Sequence, residues 1–183
     1  MAPSVPAVVW KALKYLALAV AIAGAPLAAG CAGPETQSLL GTQIQPLKNH
    51  IPGPGEDVHD FTTAYDPYHD FYTHTVAEEV AAHKPFILLF ATPAHCTQCQ
   101  NQIDTVHSYY EQYHHAFDVI HIDQYKNGHV YTALGVRGDP WTLMINAAGT
   151  ITGVYPGVTT WDDMDPPLRK MLGEEPAPKP DSA

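Results

Sequence analysis

Two cysteines separated by two residues, Cys96 and Cys99 with Thr97-Gln98 between them, stand directly after the apolar run Pro85-Phe86-Ile87-Leu88-Leu89-Phe90 and directly before a segment with helical apolar spacing. The residue types and the spacing suit thiol–disulfide exchange. A strand that delivers such a pair onto the start of a helix sets the first sulfur against unpaired N–H groups and the positive end of the helix dipole, and both favour a thiolate. The thiolate is the nucleophile. A second cysteine one turn further on is close enough to attack the mixed disulfide and free the partner.

The same pair is also half of a soft-metal site. Copper(I) accepts two thiolates alone, and His69, His74, His95, His107, His114 and His115 are available as further ligands. Structural zinc wants four ligands at closed spacing, and no second Cys-x-x-Cys or His pair stands in register with this one. An inert structural disulfide would gain little, because a two-residue gap closes a very short loop.

The elements that must position the pair can be read around it. Thr75 and Glu78 have capping-box spacing for a helix to about His83, which Pro85 separates from a strand over 86–91. After the cysteines, Ile103, Val106, Tyr110, Tyr113 and Phe117 recur at three- and four-residue intervals, the stripe of a helix packed on a sheet. A buried strand is predicted over 118–123, a short helix near 128–134, and a strand over 141–146. Ala147-Ala148-Gly149 then turns the chain into a strand over 150–155, and so short a connection requires an antiparallel pair. Thr160 or Asp165 caps a last helix to about Leu172, with Pro166 acceptable in a first turn. The class is α/β, a central mixed sheet flanked by helices.

Length allows one domain with a real core plus extensions. Residues 1–30 read as a leader: Lys11 and Lys14 precede an apolar stretch from Tyr15 to Ala29, which closes on Leu27-Ala28-Ala29-Gly30-Cys31. Residues 31–56, rich in Pro, Gly, Gln and Thr, read as a flexible tether. The folded domain is expected over 57–172 and a disordered tail over 173–183. Without the leader, seven basic residues face 19 acidic ones, a balance that repels nucleic acid and anionic lipid heads.

Two resemblances sharpen this reading. The first 31 residues resemble a bacterial lipoprotein signal, in which Cys31 would be lipidated and become the mature N-terminus; Leu27 stands four places before the cysteine where that family more often has its large apolar residue three before. This implies a membrane-anchored domain in an extracytoplasmic part of the bacterial envelope, where disulfides persist. The region from Thr75 to Leu172 resembles thioredoxin-like proteins: the Cys96–Cys99 pair after its strand, His121-Ile122-Asp123-Gln124 at the end of a later strand, Val136-Arg137-Gly138-Asp139-Pro140-Trp141-Thr142-Leu143 as the cis-proline loop, and Asn146 to Ile151 as the hairpin.

The second resemblance implies a thioredoxin fold and a protein-disulfide oxidoreductase. Cys96 would attack, Cys99 resolve, and Pro140, with a cis peptide bond beside Cys96, position an extended substrate together with Asp139. No bound organic cofactor is implied; the partners would be extracytoplasmic protein thiols or disulfides and a dithiol redox protein. The rival function is a copper(I) chaperone using the same cysteines as ligands. Three departures bear on reactivity. Phe90 stands where many thioredoxins place a buried acid, and no acidic residue lies between Lys84 and Cys99. His95 replaces the usual aromatic residue before the first cysteine, in a stretch that reads one residue long, and a charged His95 would lower the pKa of Cys96. Asp139 before the proline would raise it and disfavour acidic substrates.

Overall fold

The computed structural model describes residues 39–113 and 115–174. After two short 3₁₀ turns (Val58–Asp60 and His69–Tyr72), eight α-helices and strands follow in order among the described residues: α1 (Val76–Ala82), β1 (Phe86–Phe90), α2 (Cys99–Gln112), β2 (Asp118–Ile122), α3 (Gln124–Leu134), β3 (Trp141–Ile145), β4 (Ile151–Pro156) and α4 (Trp161–Leu172). The strands form one sheet in the order β2-β1-β3-β4. β1 pairs in parallel with β2, while β1 with β3 and β3 with β4 are antiparallel. This is the mixed, helix-flanked sheet of the thioredoxin fold.

β1 lies inside the sheet with all five residues buried, so its side chains alternate between two apolar layers. Ile87 and Leu89, with Ala91 just beyond the strand, meet Ile103 and Val106 of α2 and Met164 and Leu168 of α4. Phe86, Leu88 and Phe90 meet Val76 of α1 and Val130, Tyr131 and Leu134 of α3.

Local chemistry sets the ends. Thr75 and Glu78 close the capping box of α1. α3 starts four residues earlier than its apolar pattern predicts, because the Asp123 carboxylate caps it by accepting from Tyr125 N–H. Asn127 then leaves helical geometry (φ −128°, ψ 33°), so the regular part is the 128–134 stretch that the pattern shows. α4 is capped by Thr160, with Asp163 completing a second capping box, rather than by Asp165. Pro166 and Pro167 therefore lie inside the helix, beyond its first turn. At the hairpin, Asn146 Oδ1 accepts from Ala148 and Thr150, and Gly149 takes the positive φ of 76° that favours glycine.

Part of the expected tether belongs to the packed domain. Ile44 is buried, and Gly41, Thr42 and Ile44 exchange backbone hydrogen bonds with Gly149 and Ile151 beside β4. Val76 N–H donates to Asn49 Oδ1 at 2.9 Å, and Ala77 N–H to Leu47 C=O at 2.9 Å. These are orphan donors in the first turn of α1, so the segment supplies partners that the helix lacks. In the reverse direction, His50 N–H donates to Asn127 Oδ1 of α3 at 2.7 Å. Low periodicity concealed this because the segment packs through single backbone groups rather than through an apolar face. Cys31 and the leader, and all but the first two residues of the tail, lie outside the described residues. No helix among the described residues is long and apolar enough to cross a membrane.

Candidate active site

A short run of turns carries β1 into α2. His95 N–H donates to Thr92 C=O at 3.1 Å, Cys96 N–H to Pro93 C=O at 3.4 Å, and Cys99 N–H to Cys96 C=O at 3.2 Å. Thr63 braces this loop: its N–H and hydroxyl both donate to Asp123 Oδ2 at 2.7 Å, and its Oγ1 accepts from Ala94 N–H at 3.1 Å. Cys96 and Cys99 are joined in a disulfide, with Cys96 half-buried just before α2 and Cys99 fully buried as its first residue. Of the two, only Cys96 is partly open to solvent.

Cys96 opens on a groove of about 620 Å³ whose walls include His95, Arg137, Asp139, Pro140 and Val158. The Asp139–Pro140 peptide bond is cis, as the resemblance implies. Pro140 C=O accepts from Gly157 N–H at 2.8 Å, which ties the cis-proline loop to the loop after β4. That second loop is held from α2: Gln102, fully buried, accepts from Thr159 N–H at 2.9 Å and donates to Thr159 Oγ1 at 2.6 Å.

The two residues expected to act on Cys96 with opposite sign are partners of each other. His95 Nε2 lies 2.8 Å from Asp139 Oδ2, with the Asp139 side chain only 3% exposed and that of His95 40%. The other carboxylate oxygen, Oδ1, accepts from the Tyr131 hydroxyl at 2.6 Å. Ile122 C=O is also within reach of that hydroxyl, at 3.2 Å, but its single hydrogen goes to the closer, charged acceptor. Thr92 Oγ1 donates to Tyr131 from 3.2 Å and accepts from Gln124 N–H. Burial, reinforced by the bond to Asp139, holds the Tyr131 phenol far above its ordinary range, so it stays protonated. Tyr125, exposed at the start of α3, meets the His95 ring edge-on with centroids 5.8 Å apart.

Tyr131 did not stand out in the sequence as a site residue. It reads as one more aromatic in a short helix, and the only signal was the polar end that a buried tyrosine must satisfy. Phe90 is likewise placed by the fold: it packs against Tyr131 on the sheet face opposite Cys99. Phe90 is therefore not the β1 residue that faces Cys99; that face carries Leu89 and Ala91, and neither is acidic.

A titratable group on that face comes from β2. His121 pairs in register with Leu89, and its ring is fully buried. Its Nε2 donates to Ala91 C=O at 2.7 Å, since a carbonyl only accepts, which leaves Nδ1 to accept from Tyr72 O–H at 2.5 Å. Burial pushes its pKa down, and the ring is neutral. Among the described residues, no group of three or more His, Cys, Asp or Glu is arranged to hold a metal ion.

No family model matches the chain, and no match is found among curated proteins. Solved structures with a similar fold include a mutant thioredoxin from Halobacterium salinarum, 23% identical over 55% of this chain and 84% of that one, with a TM-score of 0.47. A thioredoxin from Nicotiana alata is 18% identical over 54% of this chain and 80% of its own, with a TM-score of 0.43. A Fasciola hepatica thioredoxin is 15% identical over 52% and 86%, with a TM-score of 0.43.

Proposed function

We propose that the chain is a thiol–disulfide oxidoreductase that exchanges disulfides with proteins outside the cytoplasm. The observation that carries this reading is the Cys96–Cys99 disulfide at the mouth of the groove, with one sulfur half-buried and the other sealed beneath it. In the oxidising direction a client thiolate attacks Cys96 Sγ, the S–S bond breaks, and Cys99 leaves as a thiolate that takes up a proton. A second client thiolate attacks the client sulfur of the mixed disulfide and expels Cys96. The client loses two electrons and two protons; the pair gains the electrons. The reverse sequence reduces a client disulfide.

The location rests on the leader: Lys11, Lys14, the apolar stretch and Cys31 support a lipid-anchored envelope protein, and a Cys-x-x-Cys pair has disulfide partners in that compartment. Substitution of each cysteine tests the chemistry. In Cys99→Ala, mixed disulfides with client proteins accumulate on Cys96; in Cys96→Ala none form and dithiol-dependent reduction of a protein disulfide stops. Equal activity of both variants and wild type would reject the proposal.

A further inference from the structure

We infer that His95 is the proton acceptor and donor for the Cys96 thiol, and that Asp139 and Tyr131 are positioning residues that hold its ring for this work. The inference rests on the exchange reading above. A carboxylate only accepts hydrogen bonds, so the 2.8 Å contact with Asp139 Oδ2 requires the hydrogen on His95 Nε2. Nδ1, which makes no hydrogen bond among the described residues, is then the nitrogen that gains or loses a proton. Asp139 is fixed in turn, because its second oxygen is taken by Tyr131, a buried hydroxyl on α3. The arrangement is a base oriented by a third group and next in the chain to the nucleophile, the pattern that activates a thiol.

The placement supports the role. His95 adjoins Cys96 in the chain, and both line one groove. The loop before Cys96 supplies no other titratable side chain; the remaining ones that face the ring or the groove are Arg137, Asp139 and Tyr131, with Tyr125 edge-on to the imidazole. Before the reduced pair attacks a client disulfide, the Cys96 thiol passes its proton to Nδ1, giving a thiolate beside an imidazolium. When Cys96 is instead expelled from a mixed disulfide as a thiolate, the imidazolium gives a proton to it. No electron transfer is involved in this step.

Asp139 decides between two accounts. Acting directly on Cys96, its charge would hold the thiol protonated; acting through His95, it stabilises the imidazolium and so favours the thiolate. The test is the pH dependence of Cys96 alkylation by iodoacetamide, together with thiolate absorbance near 240 nm, in the reduced Cys99→Ala protein. His95→Gln, at an exposed position, is expected to move the thiolate midpoint up by about one unit and slow alkylation at pH 6 about tenfold. Asp139→Asn is expected to move it the same way by a smaller amount, and Tyr131→Phe by less again. A lower midpoint in Asp139→Asn, or an unchanged one in His95→Gln, overturns the inference. Neither readout needs a client protein, so loss of this inference and loss of the exchange function are separate results.

Discussion

His95 Nε2 and Asp139 Oδ2 lie 2.8 Å apart across 44 residues of chain, joining the loop that carries Cys96 to the loop that carries the cis-proline. The groove between those loops is therefore bridged at its rim by side chains as well as shaped by backbone. Gln102 reaches from α2 to Thr159, next to the groove-lining Gly157 and Val158.

Gln102→Ala leaves the buried Thr159 N–H without its acceptor. The expected cost is about 1–3 kcal/mol of stability, measured by denaturant unfolding. Exchange with a protein disulfide is expected to slow more than exchange with a small dithiol, since Gly157 and Val158 line the groove that a protein client must occupy.

Asn49→Ala removes the acceptor for Val76 N–H and the donor to His74 C=O. Loss of about 1–3 kcal/mol is expected. A flexible tether would tolerate the change, so unaltered unfolding would show that residues 39–56 add nothing to the domain.

Glu79, buried in α1, has its carboxyl pushed up to about 7 by burial first, with nearby Asp118 adding and Lys84 opposing. Its Oε2 has no hydrogen-bond partner among the described residues, and a proton on the carboxyl gives it a donor toward Asp118. Between the ordinary value of 4.5 and about 7 the folded chain binds more protons than the unfolded one. This contribution is thus complete below pH 4.5 and lost as pH rises through 7. Glu79→Gln is expected to gain on wild type from pH 5 to pH 8 by on the order of 2 kcal/mol, read as a difference in denaturant midpoints.

His121 works in the opposite sense. Its depressed pKa means that below its ordinary value of 6.5 the unfolded chain takes up a proton that the native ring refuses, so stability present above that pH is lost on acidification. Tyr72→Phe strips the donor from Nδ1 and is expected to cost about 1–3 kcal/mol at neutral pH. The acid loss persists in that variant, because the ring stays buried; a flat acid limb would contradict this assignment.

Much of the fold was legible because its signals are local. The Thr75–Glu78 capping box, the α2 stripe and the short Ala147–Gly149 connection each act within a few residues, and the structure shows them where they were expected. The start of α3 was missed because Asp123 reads as the end of a strand, although its carboxylate caps the next helix. For α4 the sequence left Thr160 and Asp165 open as caps, since Pro166 is more at home in a first turn than in a helix interior; the structure takes Thr160. At the site, Cys96, Cys99, His95, Asp139 and Pro140 could be named from motif and resemblance. That His95 and Asp139 bind each other, and that Tyr131 completes the chain, depends on α3 folding back beside β1, which no spacing expresses.

The most direct test of exchange chemistry is equilibration of the purified protein with graded ratios of reduced to oxidised dithiol, followed by alkylation of free thiols. The expected result is one reversible two-electron transition in which Cys96 and Cys99 gain and lose their thiols together, a tenfold change in ratio corresponding to about 30 mV. A pair that stays oxidised, or stays reduced, at every ratio would contradict it.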